Sequence, residues 1–191
     1  MNRKLVSYLA SIAIAVGLIL IIKPYIENNK AKNKYDFKVK SIDGVLSKDS
    51  FKNKVLAVYF GYTFCPDVCP TSLSRLAYAL DELDEQKVKN NFAGLFISVD
   101  PQRDKLKDLD SYAKYFHPNF KGATSNKENI DDIVNRYGTY YKKVNLEDSS
   151  MGYSVAHTSY IYFFDKQGNF IKKVDHFSNP QEIKKVLKSL L

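Results

Sequence analysis

The stretch Tyr59-Phe60-Gly61-Tyr62-Thr63-Phe64-Cys65-Pro66-Asp67-Val68-Cys69-Pro70 decides how the chain is read. It holds the only two cysteines of 191 residues, four positions apart. The apolar run Val55 to Phe60 leads into it with the length of a strand buried on both faces. Leu73, Leu76, Ala77, Leu80 and Leu83 leave it at helical spacing, with Pro70 in the first turn. Two thiols at a strand-to-helix junction sit where a helix N-terminus stabilises thiolate, so the stretch reads as a site of chemistry. Four chemistries are open: a metal ion, disulfide exchange, peroxide reduction or a structural bridge.

Spacing weighs them. In a helical or turn-like segment, residues i and i+4 face the same way with Cβ atoms about 5–6 Å apart. That fits two thiolates on one metal, and modest movement allows a disulfide. A structural bridge closing so short a loop contributes only about 2 kcal/mol. The thioredoxin redox motif has two residues between its cysteines and this chain has three, which counts against a dithiol oxidoreductase without removing it.

A third metal ligand has to come from His117, His157 or His176, the only histidines. His117, before Pro118, reads as a helix-end cap, and His176 as a solvated turn residue. His157 lies just before the apolar strand Tyr160 to Phe164, on a loop that faces the cysteine loop in a thioredoxin-like sheet. Two thiolates and an imidazole form a soft set suited to Cu(I) and able to hold Cu(II), with Zn(II) the competitor. No Cys-x-x-Cys-His occurs, so covalent haem is not implied. Asp67 opposes thiolate formation unless it points outward. Asp100, Arg103 and Asp104 at a strand end admit a functional role, but the first reading is that they cap the next helix.

Working outward, strands alternate with helices. Phe37, Val39 and Ile42 alternate with polar residues up to the turn Asp43-Gly44. Phe92 to Val99 is a second buried strand, followed by a helical stripe from Leu106 to Phe116 that stops at His117-Pro118. Phe120 to Thr124 reads as a third strand, and Ile130, Ile133, Val134 and Tyr137 as a helix ended by Gly138. Tyr160 to Phe164 and Phe170 to Val174 flank a hairpin turn, and Asn179-Pro180-Gln181-Glu182 opens a last helix. The pattern predicts an α/β domain over residues 37–191, a thioredoxin-like mixed sheet flanked by helices.

The N-terminus reads as a single transmembrane helix. Leu5 to Ile22 carries no charge and is bracketed by Arg3, Lys4 and Lys23. A helix of that length spans about 27 Å, enough for a bilayer core. It lacks the small-residue cleavage site of a signal peptide, and no lipidatable cysteine follows it. Residues 1–23 are therefore expected to be a membrane anchor and residues 24–36, rich in Lys and Asn, a stalk. Positive charge just after the span favours a cytoplasmic domain by simple count. Long domains translocate largely regardless of charge, however, and the cysteine pair suits an oxidising compartment, so the domain is placed outside the cytoplasm. Three of the 29 basic residues stand in the first 23, so the net charge of +8 falls to +5 beyond them. No Lys/Arg block with interleaved aromatics appears, which argues against nucleic-acid binding.

These residues resemble a known family, the Sco (SenC/PrrC-type) copper proteins of cytochrome c oxidase assembly. Cys65-Pro66-Asp67-Val68-Cys69-Pro70 is similar to the family's Cys-Pro-Asp-x-Cys-Pro site. Ser98-Val99-Asp100-Pro101-Gln102-Arg103-Asp104 is similar to its Ser-x-Asp-Pro-x-Arg-Asp block. Tyr112 to Pro118 and Tyr137 to Tyr141 also match, as does His157-Thr158-Ser159 before an apolar strand. The resemblance spans nearly all of residues 37–191. It implies one copper, Cu(I) or Cu(II), on Cys65, Cys69 and His157. It implies a metallochaperone, not a turnover enzyme, that delivers copper to, or reduces the cysteines of, the binuclear copper site of oxidase subunit II. A copper-donor chaperone would be a second partner. The implied location is the bacterial inner membrane with the domain in the periplasm, or alternatively the mitochondrial inner membrane facing the intermembrane space. The family usually has Asp directly before the histidine, where this chain has Ala156. A thiol–disulfide oxidoreductase, a peroxidase or a metal sensor using Cys65 and Cys69 remain the rivals. The first lacks the proline that thioredoxins place before the strand equivalent to Tyr160 to Phe164. The second has Pro66 where a peroxiredoxin site would have Thr.

Overall fold

A computed structural model of the chain describes residues 34–147, 149, 151–175 and 178–191, together with 12, 16–18, 20 and 22–23. Residues up to Lys34 and those from Tyr35 to Leu191 form two separate compact units. The described residues among 12–23 are helical. No helix among the described residues is long and apolar enough to cross a membrane. Much of the expected span, most of the expected stalk and His176 lie outside the described residues.

In the second unit, β1 (Lys38–Ser41) and β2 (Gly44–Ser47) form a hairpin, followed by a 3-10 turn at Lys48–Phe51. Then come β3 (Val55–Gly61), α1 (Val68–Asp81), α2 (Glu85–Asn91), β4 (Phe92–Ser98) and α3 (Leu106–Phe116). The chain continues through β5 (Phe120–Thr124), α4 (Lys127–Tyr137), β6 (Tyr141–Asn145) and β7 (Tyr153–His157). It closes with β8 (Tyr160–Phe164), β9 (Phe170–Asp175) and α5 (Pro180–Leu190). Seven strands make one mixed sheet in the order β2-β1-β5-β4-β3-β8-β9, and β6 and β7 pair apart from it.

The central strand is β3. It runs parallel to β4 and antiparallel to β8, and every residue of β3 and β4 is buried. That burial is why both read as continuous apolar runs: helices cover both faces, so neither face needs polar residues. Side chains alternate across the sheet. Phe60 on one face meets Tyr137 of α4, with ring centres 5.0 Å apart. Tyr59 and Gly61 on the other face look toward α1. The β3–α1–β4 unit with β8 and β9 closing antiparallel is the thioredoxin-like arrangement expected from the sequence.

Local signals mostly act as read. Gly138 ends α4 in the left-handed conformation at φ 64°. Asn179 caps α5 by accepting from the Glu182 amide at 3.0 Å. Ile42 departs from expectation: β1 stops at Ser41, and Ile42 lies exposed in the turn. Ser41 Oγ sets that turn by donating to the Gly44 carbonyl and accepting from the Asp43 amide. Tyr35 already belongs to the compact unit, stacked on Phe170 at 4.4 Å with its carbonyl accepting from Tyr137 OH.

Candidate metal centre

The two cysteines occupy different positions relative to α1. Cys65 precedes the helix and is partly exposed, whereas Cys69 lies in its first turn and is fully buried. The free amides of that first turn point back at the loop. The Cys69 amide donates to Cys65 Sγ at 3.3 Å. Asp67 turns its carboxylate outward, accepting from Thr71 Oγ1 at 3.1 Å, while its own amide supports the Cys65 sulfur. The charge that threatened the thiolate therefore faces solvent.

These contacts separate the two thiols. The Cys69 side chain, and then the Cys69 and Asp67 amides, pull the Cys65 pKa down to about 4. Burial, and then the neighbouring Cys65, push Cys69 well above the ordinary thiol value. The pair thus carries one negative charge, lodged first on Cys65. In the reduced, metal-free protein, alkylation by iodoacetamide is expected to strike Cys65 first, with a rate nearly flat from pH 6 to 8. An ordinary thiol would gain roughly tenfold per unit over that range. Mass mapping of the first adduct checks this, and an adduct on Cys69 would contradict the assignment. Because the folded-state pKa of Cys65 is depressed, its contribution to stability is complete only above the unfolded value and is lost as pH falls through about 4.

Gly61 makes room for the buried sulfur. A Cβ at this position would lie 2.8 Å from Cys69 Sγ and 2.8 Å from the Phe96 ring. Gly61→Ala is therefore expected to cost about 1–3 kcal/mol in urea unfolding through overpacking. It should also displace the sulfur. Unchanged stability would mean that the thiol has slack the packing does not show.

His157 is the last residue of β7, on the separate β6–β7 hairpin, and not on a loop as read from the sequence. Its Nε2 lies 3.2 Å from Cys69 Sγ. The Thr158 carbonyl, 3.2 Å from Nδ1, can only accept, so it selects the tautomer protonated at Nδ1 and leaves the Nε2 lone pair facing the thiols. Cys65, Cys69 and His157 bring their donor atoms within 4.8 Å of one another, across 88 residues of chain between Cys69 and His157. Among the described residues they form the only such group of histidine, cysteine or carboxylate side chains. His117 stays out of it, its Nδ1 accepting from the Asn119 amide at the end of α3. Ala156 is exposed on the outer face of β7, opposite Lys142. A carboxylate there would face solvent and Lys142, not the sulfurs or the imidazole.

What the sequence reading missed is how the two halves of the site are held together. Asp100, Arg103 and Asp104 do not cap α3, whose N-cap is Lys105 and has no side-chain cap. Asp104 accepts from the Thr63 amide and hydroxyl and from Ser98, fixing the turn between β3 and Cys65. Arg103 donates from Nε to the fully buried Asp100 at 2.6 Å, and from Nη1 to the carbonyls of Met151 and Tyr153. Its guanidinium lies over the rings of Tyr153 at 3.6 Å and Phe64 at 4.8 Å. Tyr153 OH returns a hydrogen bond to Asp100 at 2.9 Å. One arginine thus ties the histidine hairpin to the cysteine loop. An Asp-x-x-Arg-Asp pattern at a strand end was the available signal, but the partners lie some fifty residues on.

A thioredoxin-like domain with a thiolate–thiol pair at a helix head, and an imidazole delivered by a second sheet, defines a class: a soft-metal or dithiol protein. The sequence profile of the SCO1/SenC family matches residues 26–191. A SCO2-like protein of Rickettsia felis is 34% identical over 154 residues, covering 80% of this chain and 74% of the relative. The crystal structure of Arabidopsis thaliana ScoI with copper bound is similar at a TM-score of 0.72 and 32% identity, covering 81% of this chain and 94% of that one. Copper-bound ScoI of Bradyrhizobium japonicum is similar at 0.68 and 32%, covering 82% and 98%. The chain belongs to the SCO1/SenC family.

Proposed function

We propose that this protein is a copper metallochaperone of cytochrome c oxidase assembly, binding one copper ion per chain as cargo on Cys65, Cys69 and His157. The observation that carries the reading is the convergence of two sulfurs and one imidazole nitrogen within 4.8 Å. The donors fit the ion: two sulfurs and a neutral imidazole satisfy soft Cu(I), and the same set holds Cu(II). Cys65, already ionised and partly exposed, meets the ion first. Cys69 surrenders its proton only when the metal replaces it, so loading releases protons and is pH-dependent. His157, fixed in the correct tautomer, closes the set. Copper bound to structurally similar family members supports the choice over zinc.

Delivery of copper to the binuclear site of oxidase subunit II, after loading by a copper-donor chaperone, is the physiological act we infer from the family. We further infer a location in the bacterial inner membrane with the domain in the periplasm, a reading supported by the uncharged run Leu5 to Ile22 and by the family resemblance. A second reading is favoured by the split thiol pair itself. A low-pKa, accessible Cys65 beside a protected Cys69 is also the arrangement of a dithiol reductant for the cysteines of subunit II.

Anaerobic Cu(I) titration against a competing chelator tests the first reading. One ion per chain is expected, with affinity lowered about 10- to 100-fold in His157→Ala, which keeps both sulfurs. No saturable binding by the wild type would sink it. A subunit II disulfide-reduction assay on the same metal-free protein separates the second reading.

A further inference from the structure

The ribbon that carries His157 turns an uncovered face to solvent. Side chains two apart on a strand share a face, so Lys142 and Val144 of β6 stand together, opposite Ala156 and Ser154 of β7. None of the four is acidic, and among the described residues Lys142 has no ion pair or hydrogen bond. A carboxylate at position 156 would neutralise Lys142 from across the ribbon, whereas alanine leaves the charge available. Val144 is 42% exposed, and Tyr140, which leads into β6, is 59% exposed.

A cleft of about 380 Å³ opens along the same strand, reaching the first turns of α4. Val99, Pro101 and Tyr141 give it apolar walls, and Lys127, Lys142 and Lys143 line it as well. The two carboxylates that border it are already engaged. Asp100 is fully buried on Arg103, with Lys143 only at 3.9 Å, and Asp131 is shared by Lys127 and the Tyr141 hydroxyl. Surplus positive charge beside an apolar cleft and an exposed tyrosine has the make-up of a docking surface, and its electrostatic complement is acidic.

The register of the ribbon says which kind of partner gains from docking here. Tyr141 pairs with His157, and Lys142 with Ala156. Opposed residues of such a ribbon lie about 4.5–5.5 Å apart, so a protein seated on Lys142 has its edge beside the imidazole.

We propose that Lys142, Tyr140, Val144 and the adjoining cleft dock an acidic face of the protein that exchanges copper with this one. The inference rests on the copper reading for the partner, taken as the copper domain of oxidase subunit II. Carboxylates of the partner meet Lys142 and the cleft, and its apolar residues cover Tyr140 and Val144. The face holds no metal ligand; it fixes where the partner's own ligands arrive.

Lys142→Glu reverses the charge of an exposed side chain, so stability and Cu(I) affinity are expected to match wild type. With the full chain in phosphatidylcholine vesicles, the metal-free subunit II domain should bind saturably. Lys142→Glu should weaken that binding about tenfold at low salt. Ala156→Asp should weaken it about threefold, by giving Lys142 a partner within the ribbon. Lys89→Glu makes the same change of net charge on α2, at the other end of β4 and about 20 Å from the cleft, and should weaken it about twofold or less. Salt at about 1 M should erase these differences. In the complex, acylation of Lys142 should slow while Lys89 stays reactive.

Equal weakening by Lys142→Glu and Lys89→Glu would show net charge alone at work and overturn the inference. Absence of binding by the wild type, or unchanged acylation of Lys142, would do the same. Protection of Lys142 by phosphatidylglycerol vesicles without the domain would assign the face to lipid and overturn it as well. If the wild type bound no copper, yet the complex formed and Lys142→Glu weakened it, the copper reading would fall alone and the docking face would stand.

Discussion

Cys69→Ala is expected to abolish tight copper binding, with a loss of roughly a thousandfold or more, equivalent to ~4 kcal/mol. Three changes act together. A soft donor disappears, leaving one sulfur and one imidazole. Cys65 loses the neighbour that contributes most to its low pKa, so its thiolate is less available. His157 loses the atom that meets its Nε2 at 3.2 Å. Cys69→Ser separates chemistry from packing, because it nearly keeps the volume beneath Gly61 but offers a hard, neutral oxygen. It should fail almost as completely as alanine. Chelator competition with Cu(I) reads both variants, and retention of wild-type affinity by either would place the ion elsewhere.

Arg103→Met is expected to have the largest effect of any substitution outside the ligand set. Asp100 is fully buried and Arg103 is its ion-pair partner at 2.6 Å. Breaking such a pair by removing one member costs about 3–5 kcal/mol when the buried charge is left behind, and here only Lys143 at 3.9 Å and the Tyr153 hydroxyl would still face Asp100. The same change frees the carbonyls of Met151 and Tyr153, so the histidine hairpin is no longer tied to the cysteine loop. Urea unfolding should show the stability loss, and copper titration a drop of about 10- to 100-fold with Cys65 alkylation still intact. The double variant Arg103→Met with Asp100→Asn should regain much of the stability but little of the affinity, since it removes the stranded charge without restoring the tie. Full recovery of both would show that Arg103 serves only the ion pair.

The parts of the fold that were legible are those where burial is one-sided or complete. Val55 to Phe60 and Phe92 to Val99 read as strands because β3 and β4 are apolar almost throughout, and the stripes of α1, α3 and α4 because each buries a single face. The β6–β7 hairpin was not legible. Four of the five β6 residues are exposed, Lys142 and Lys143 among them, so no apolar alternation marks the strand. Helix α2 was missed for the same reason, since Val88 is its only buried residue. At the site, Cys65 and Cys69 announce themselves by type and spacing, and His157 by its place before β8. Arg103 could not, because its role depends on Met151 and Tyr153, which only the folded chain brings to it.

The two sulfurs stand at the junction of central strand β3 with α1 and the imidazole on a two-stranded ribbon, and this division has a kinetic consequence. Amides in β3 and β4, buried on both faces, are expected to exchange with solvent only when the whole domain opens, whereas a ribbon whose β6 strand is largely exposed is expected to open by itself at a fraction of that free energy. The nitrogen arm can therefore detach while the sulfur arm stays folded. A bound ion would then pass through a two-coordinate state open on the side where His157 stood, and an incoming thiol could enter there without any strand of the central sheet giving way. The lifetime of the cargo would be set by the looser of the two arms.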